Sequence, residues 1–263
     1  MNQLELNSTH EFLYDLCKKV RKITLNGYKE IKKINYKIDG SPVTKFDVEA
    51  DKIIRKIISY KFPNHNILSE ENSNINNDSD YTWVIDPIDG TKSYVIGRPL
   101  WGTLIALIFK DKPILSVVDL PCLDEIWFGD NICCYLNKKK FKSNKNLDIP
   151  LSEAMMASTH PNLFKNTNYD RYNLLSKKVK SHLWSGDCHN YLLLANGGID
   201  IVIEENLSSY DILPLNPILK SQNIYISDWK GDDITFELNK NIKYQALASL
   251  NSNIHNEIIN FFN

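Results

Sequence analysis

The spacing of apolar residues predicts two amphipathic helices near the start of the chain. Ser8-Thr9-His10-Glu11 has the pattern of a capping box, after which apolar residues recur at helical spacing until Gly27. A second helix is predicted from Thr44 to Pro63, because proline cannot continue it. The apolar positions of the two helices are Phe12, Leu13, Leu16, Val20 and Ile23, and Ala50, Ile53, Ile54, Ile57 and Ile58.

Short apolar runs beyond the second helix predict strands. Residues 110–113 have the composition of a hairpin turn, which favours an antiparallel sheet in this half of the chain. The second half alternates predicted strands and helices, a pattern typical of a parallel or mixed sheet. Strands are predicted at residues 67–68, 83–85, 104–109, 114–118, 154–157, 181–184, 199–203 and 223–226, and later helices at residues 187–196 and 211–220.

Two polar segments predict loops. Residues 137–146 are basic, and we interpret them as the connection between two halves, 1–147 and 148–263; a patch that attracts anions is the alternative. Residues 72–80 are rich in Asn, Ser and Asp and predict a mobile loop that could close over a site.

Charge and composition restrict the class of partner. The formal net charge of -1 is not that of a general nucleic-acid binder, so a small molecule is the expected substrate. Five cysteines, an odd number, predict free thiols in a reducing compartment. Neither a leader pattern nor an apolar run of membrane-spanning length is present, so we expect a soluble, cytoplasmic protein that does not bind membranes.

Residues 83–91, Trp-Val-Ile-Asp-Pro-Ile-Asp-Gly-Thr, carry the pattern most indicative of chemistry. Pro87 stiffens the turn after an apolar strand, so Asp86 and Asp89 can converge with the Ile88 carbonyl on a hard cation. The amides of Gly90 and Thr91 would then begin a helix and bind a phosphate oxygen. A surface Pro-Asp-Gly turn is the structural alternative.

Other acids lie where predicted strands end or helices begin, the edges at which α/β proteins bind ligands. Glu70 follows a strand and Asp211 precedes a helix, so four carboxylates would share one crevice with Asp86 and Asp89. Their repulsion requires compensating cations. All-oxygen ligands favour Mg²⁺, with Mn²⁺ as a substitute, over Zn²⁺. A strand-end acid and a helix cap are the structural alternatives for Glu70 and Asp211.

The order of these motifs resembles the inositol monophosphatase family of Mg²⁺-dependent, lithium-sensitive phosphatases. The resemblance extends from about Lys37 to Asp211, and residues 97–107 and 186–189 are most similar to its histidinol-phosphatase branch. It implies a layered α/β/α/β/α sandwich of the α+β or α/β class and a homodimer. The motifs are Ser-Pro-Val-Thr-Lys-Phe-Asp at 41–47, Glu-Glu at 70–71, Asp-Pro-Ile-Asp-Gly-Thr at 86–91, Gly-Asp-Cys at 186–188 and Tyr-Asp at 210–211.

The resemblance also implies that the first half, 1–147, is the metal-binding half and that the second, 148–263, sets substrate specificity. Two or three metal ions are expected. Glu70, Asp86 and the Ile88 carbonyl would bind a first ion, and Asp86, Asp89 and Asp211 a second. Thr91 and Asp47, together with Glu70, would orient an attacking water for direct in-line hydrolysis. Asp47 also stands where a capping box with Thr44 would place it, and both roles are compatible.

Four residues are candidates for substrate binding. Asp187 stands where inositol-specific members carry a small neutral residue, which suits a cationic substrate such as histidinol phosphate; a plain helix cap is its alternative. Glu204 is a second acid that would bind the amine or a hydroxyl of the substrate. Lys37 matches a basic residue near the metals, although a lone lysine is more often solvated. Arg98 could meet phosphate or a partner chain, and a surface salt bridge is its alternative.

Three functions follow from the sequence. The first hypothesis is a histidinol-phosphate phosphatase of histidine biosynthesis, and the second an inositol or broad-specificity sugar phosphatase. The third is a non-catalytic binding protein on the same fold, which a missing metal acid would favour. Departures from the family pattern, Ser69 in place of glycine and the stretch 212–223, affect specificity more than the chemistry.

Overall fold

The computed structural model describes residues 3–30, 34–37, 40–143, 149–238 and 242–262, with side chains from residue 8 onward. The helices are α1 (Gln3–Lys29), α2 (Lys45–Lys61), α3 (Thr91–Ile96), α4 (Thr167–Ser176), α5 (Cys188–Asn196), α6 (Ser209–Ile212), α7 (Asn216–Ser221) and α8 (Ser252–Phe262). Short 3₁₀ helices cover Leu151–Glu153 and Pro161–Leu163.

Most strands belong to two sheets. The larger sheet contains β3 (Asn66–Ser69), β4 (Tyr81–Asp89), β5 (Gly102–Phe109), β6 (Lys112–Leu120), β7 (Glu125–Gly129), β8 (Cys134–Leu136) and β9 (Lys139–Phe141), in that order. The smaller sheet contains β10 (Met155–Ser158), β11 (Ser181–Trp184), β12 (Ile201–Leu207), β13 (Tyr225–Ser227) and β14 (Tyr244–Ser249), in the order β11-β10-β12-β14-β13. A separate two-stranded ribbon joins β1 (Asn35–Tyr36) to β2 (Pro42–Val43).

The two sheets differ in strand direction. The larger is antiparallel except for β3, which runs parallel to β4, and its β5–β6 hairpin turns at residues 110–111 as predicted. The smaller is mixed, because β11 and β12 run parallel to β10 whereas β14 is antiparallel to both β12 and β13. Both predictions of sheet type are confirmed, the first apart from β3.

Three buried clusters stack the elements into five layers. On one face of the larger sheet, Trp83 and Ile85 pack against α1 and α2. On the other, Val84 faces a cluster shared with α5, α7 and the smaller sheet, and α4 and α8 cover the far side of that sheet. The central strands are therefore buried on both faces, which explains their continuous apolar runs. The predicted α/β/α/β/α sandwich is confirmed.

The predicted boundary at residues 147 and 148 lies outside the described residues. The shared cluster draws side chains from both halves of the chain, among them Val84 and Leu104 from the first and Val202 and Ala248 from the second. Within the described segments, no helix has the length and apolar character needed to cross a membrane. None of the five cysteines, all of which lie in the described residues, forms a disulfide bond.

The predicted limits of the first helix are wrong at both ends. Ser8 lies inside α1, so the helix does not begin at a Ser8–Glu11 capping box. Gly27 is also helical. A Cβ there would come within 2.3 Å of the Phe46 ring and 2.2 Å of the Tyr94 hydroxyl. The glycine therefore permits close packing and does not end the helix.

The predicted helix over 211–220 is two helices. Ser208 caps α6 with Asp211 in a reciprocal capping box, so the first helix starts before Asp211. A turn at residues 213–215 contains Pro214, whose missing N–H cannot continue the helical bonding. Pro217 then occupies the first turn of α7, where proline is tolerated.

The 72–80 segment is tied to the sheet edge. Ile75 pairs with Ile67, and the Asn66 side-chain oxygen accepts hydrogen bonds from the amides of Asn77 (2.7 Å) and Ser79 (3.4 Å). Its closure over the site stays a prediction.

His255 on α8 links the helix to the smaller sheet. Its Nδ1 lies 2.9 Å from the Ser249 hydroxyl and its Nε2 2.8 Å from the Ser227 hydroxyl. Burial lowers the pKa of His255 to about 4. Since the unfolded chain binds this proton near pH 6.5, acidification favours the unfolded state.

We expect His255 to destabilise the fold as the pH falls from 6.5 towards 4. At pH 5 its contribution would be about 2 kcal/mol lower than at pH 7.5, at 1.36 kcal/mol per pKa unit. Urea unfolding at both pH values would show this loss in the wild type and a smaller one in His255→Gln. His182→Gln, a change at an exposed histidine on β11, is the control. An identical pH dependence in the wild type and His255→Gln would contradict the assignment.

Candidate active site

The parallel pair β3–β4 brings the first two acids together. Ser69 pairs with Ile85, and the Glu70 amide donates to the Ile85 carbonyl at 3.1 Å, so Glu70 and Asp86 leave the sheet at the same edge. Carboxyl ends of parallel strands form ligand-binding crevices in α/β proteins. The site is therefore built from the strand ends that the sequence indicated.

The Asp-Pro-Ile-Asp segment breaks the strand register. Asp86 is opposite Leu104 but Asp89 is opposite Gly102, so an extra residue bulges from β4. The Asp86 carboxylate accepts a hydrogen bond from the Ile88 amide at 3.0 Å, which closes the local turn. The bulge allows Asp86 and Asp89 to approach each other, which strict alternation along a strand would not achieve.

Asp211 completes a cluster of three carboxylates. One oxygen each from Asp86, Asp89 and Asp211 lies within 4.8 Å of the others. The α6 cap orients Asp211, whose Oδ2 accepts from the Ser208 amide at 2.7 Å. The spacing fits oxygen ligands converging on a hard divalent cation.

Burial and mutual repulsion strongly perturb these acids. The pKa of Asp86 lies well above its usual range because the group is buried and faces Glu70, Asp89 and Asp211. The pKa of Asp89 is raised by burial and by Asp187 and Asp211, and that of Asp211 rises to about 7 through burial and Glu70. Cations would remove this cost, because they favour the ionised form of every member.

Glu70 lies beside the cluster and is held by Lys37. The Lys37 ammonium lies 2.6 Å from Glu70 and 2.7 Å from Glu71. Burial, followed by the charge of Glu70, raises the pKa of Glu71 to about 7. Lys37 thus contacts the acids and is not among the residues that line the cavity. The contact between Lys37 and Glu71 was not predicted from the sequence.

Asp47 and Thr91 meet as the resemblance implied. The Thr91 hydroxyl lies 3.4 Å from Asp47 Oδ1 and donates to the Ile88 carbonyl at 2.9 Å. Asp47 Oδ2 accepts from the Thr44 amide at 2.8 Å and from its hydroxyl at 2.5 Å. The capping box and the contact with Thr91 therefore coexist, one on each carboxylate oxygen.

Gly90 begins α3 in a backbone conformation that favours glycine. Its φ is 77°, and a Cβ there would lie 3.0 Å from the Asp187 carboxylate and 3.1 Å from the Leu100 carbonyl. The lack of a side chain avoids these close contacts, and Gly90 and Thr91 both line the cavity. Asp187 packs directly against this turn.

The structure does not support the interpretation of Asp187 as a side-chain helix cap. Asp187 occupies the N-cap of α5, yet its carboxylate makes no capping hydrogen bond to the described helix. Burial raises the pKa of Asp187 to about 6, and Lys92 opposes the rise. The following amide, of Cys188, donates to Asp89 at 2.8 Å. The α5 turn therefore supports the cluster through its backbone, and Asp187 lines the cavity with Lys92 nearby.

Glu204 and Arg98 line the same cavity from other sides. Glu204 accepts from the Thr159 amide at 2.8 Å and from the Tyr191 hydroxyl at 2.9 Å, and burial raises its pKa to about 7. Arg98 donates to the Ser185 hydroxyl. Neither Thr159 nor Tyr191 was a sequence candidate, because neither belongs to a recognisable motif.

The cavity measures about 540 Å³, and both the metal-ligand candidates and the substrate candidates Asp187, Glu204 and Arg98 line it. Glu70, Asp86, Asp89 and Asp211 lie on its wall together with Gly90, Thr91, Asp187 and Glu204. This volume suits a small-molecule ligand.

Comparisons with known proteins agree with this geometry. The model of the inositol monophosphatase family matches residues 5–260. The chain is 38% identical over 234 residues to the bifunctional phosphatase IMPL2, chloroplastic, of Arabidopsis thaliana. The matched region covers 85% of this chain and 66% of that protein. It is 28% identical over 221 residues to a histidinol-phosphatase of Chlorobaculum parvum, covering 82% and 84% of the two chains.

A solved structure supports the same fold. An inositol monophosphatase from Zymomonas mobilis superposes with a TM-score of 0.84, at 29% identity over 99% of each chain.

Proposed function

Because this chain belongs to the inositol monophosphatase family, whose members are metal-dependent phosphatases, we propose that it hydrolyses histidinol phosphate with Mg²⁺. The observation that carries the substrate proposal is the pair of acids, Asp187 and Glu204, on the wall of the cavity that contains the carboxylate cluster. A cationic alcohol would complement this negative wall. The similarity to a histidinol-phosphatase supports the same substrate.

The residues present fit the proposed cation. Asp86, Asp89 and Asp211 offer converging carboxylate oxygens, and Glu70 stands at the same sheet edge. We assign Glu70, Asp86 and the Ile88 carbonyl to one ion and Asp86, Asp89 and Asp211 to a second, with Mn²⁺ as a substitute. When bound, Mg²⁺ neutralises charge on the phosphoryl oxygens and lowers the pKa of water.

The protein groups orient the reactants. The Thr91 hydroxyl donates to the Ile88 carbonyl at 2.9 Å and lies 3.4 Å from Asp47. With the Ile88 carbonyl bound to an ion, the Thr91 O–H would turn to donate to Asp47, and its oxygen would accept a hydrogen bond from the attacking water. Burial raises the pKa of Asp47, which suits a group that receives a hydrogen bond from Thr91 during the reaction. The amides of Gly90 and Thr91, on the cavity wall, would hold a phosphate oxygen, and Arg98 would add positive charge nearby.

A panel of phosphate monoesters tests the proposal. With Mg²⁺ present, kcat/KM should be highest for histidinol phosphate and lower for inositol 1-phosphate and glycerol phosphate. Turnover should stop in EDTA and return with Mg²⁺. A wild-type protein that prefers inositol phosphate would overturn the substrate assignment, and full activity in EDTA would overturn the metal mechanism.

The second candidate is an inositol or sugar phosphatase. It is favoured by the likeness to the Zymomonas mobilis enzyme over the length of both chains. The third hypothesis, a non-catalytic binding protein, gains no support, because every acid of the predicted metal set lies at the cavity. Lithium sensitivity, a homodimer, a role in histidine biosynthesis and a cytoplasmic location stay predictions.

A further inference from the structure

One large aromatic residue of the cavity wall has no part in the proposed chemistry. Trp184, the last residue of β11, lines the cavity together with Asp187 and Glu204. It is 37% exposed, whereas the other four tryptophans of the chain, Trp83, Trp101, Trp127 and Trp229, are at most 4% exposed. A large aromatic ring left open beside acids is available to a ligand.

The Trp184 ring is held in place by its neighbours. Tyr172, fully buried on α4, packs against it with centroids 5.0 Å apart, and His182 meets it edge-on at 5.6 Å. The strand is fixed as well, since Trp184 pairs with Ser158 of β10 and the next amide, of Ser185, donates to the Ser158 carbonyl at 3.1 Å. The indole is thus a preorganised surface.

Trp184 and Glu204 both line the cavity near the end of β10. Trp184 on β11 pairs with Ser158, while Glu204 on β12 is tied to the following residue, Thr159. Because β10 lies between β11 and β12, their backbones are about 10 Å apart, two strand spacings. Both residues line the same cavity of about 540 Å³, so one bound ligand can contact the indole and an acid.

Building on the proposed function, we propose that Trp184 determines specificity by stacking on the planar, cation-capable ring of the substrate alcohol. An imidazole offers a flat face to the indole and an N–H or positive charge to Glu204 or Asp187. A polyol has neither a flat aromatic face nor a charge. Trp184 would thus favour a five-membered heteroaromatic alcohol over inositol.

Three esters separate the ring from the charge. Histidinol phosphate has both, phosphoethanolamine has a cation without a ring, and glycerol phosphate has neither. Trp184→Ala should lower kcat/KM for histidinol phosphate about three- to tenfold, the usual range for an aromatic contact, and change the other two less than about twofold. Trp184→Phe should retain most of the preference. Tyr169→Ala, a change at an exposed aromatic residue of α4 that does not line the cavity, is the matched control.

Fluorescence gives a readout that does not depend on turnover. Because the other tryptophans are buried, acrylamide quenching of the wild type reports mainly on Trp184. Histidinol should protect the protein from quenching, glycerol should not, and Trp184→Phe should lose the protectable component.

The outcomes distinguish this inference from the proposed function. A wild-type protein with no preference for histidinol phosphate would refute the proposed function. If the wild type shows that preference but Trp184→Ala lowers kcat/KM equally for all three esters, the stacking role is refuted. A changed oligomeric state in Trp184→Ala, with histidinol giving no protection, would identify Trp184 as an interface residue and also refute it.

Discussion

Replacing Asp89 with asparagine is expected to abolish Mg²⁺-dependent phosphate release and to stabilise the metal-free protein. The substitution removes one ligand charge from the cluster, and the loss of a metal contact worth several kcal/mol lowers the rate by at least about a hundredfold. The asparagine oxygen can still accept the hydrogen bond from Cys188, which in the wild type measures 2.8 Å. The local backbone should therefore persist.

The stability effect has the opposite sign because the cluster is strained without metal. The pKa of Asp89 lies well above its usual range through burial and the charges of Asp187 and Asp211, so its ionised form destabilises the metal-free fold. In EDTA, Tm should rise by about 2–4 °C for each kcal/mol of repulsion relieved. Addition of Mg²⁺ should raise the Tm of the wild type, and it should raise the Tm of the variant much less.

Asp111→Asn is the matched control, since Asp111 is an exposed acid in the β5–β6 turn and loses the same charge. It should leave activity, Tm in EDTA and the response to Mg²⁺ unchanged. Normal Mg²⁺-dependent turnover by Asp89→Asn would exclude Asp89 as a required ligand, and an unfolded variant would show that Asp89 mainly supports the fold.

The local parts of this site could be predicted from the sequence. Asp86, Asp89, Gly90 and Thr91 lie within one bulge and the helix start that follows it, so their proximity is set by short-range geometry. Asp211 is distant in sequence, and only its place before a helix together with the motif order linked it to the cluster. The structure brings it there because α6 packs against the end of β4.

Tertiary contacts decided the features that the sequence did not reveal. Lys37 would be solvated in isolation, but here two glutamates surround it. Gly27 has the pattern of a helix end, yet the nearby Phe46 ring gives it a packing role. Trp184 belongs to no motif, and its exposure follows from its place at the edge of the smaller sheet.

Asp187→Ala is expected to lower kcat/KM for histidinol phosphate about ten- to a hundredfold and that for glycerol phosphate much less. The estimate follows from a charge-assisted hydrogen bond worth about 1.5–3 kcal/mol. The Asp187 carboxylate makes no capping bond within the described part of α5, so its removal should spare the helix. Asp187→Asn, which keeps the size and removes the charge, should show the same discrimination.

The position of Asp187 also defines the result that would contradict this role. Its carboxylate lies 3.0 Å from the point where a Cβ on Gly90 would stand, next to the amides proposed to bind phosphate. If Asp187 only supported that turn, Asp187→Ala would lower turnover of both esters equally, whereas the isosteric Asp187→Asn would leave both nearly unchanged. Loss of histidinol phosphate turnover alone, in both variants, requires a charge that contacts the cationic end of the substrate.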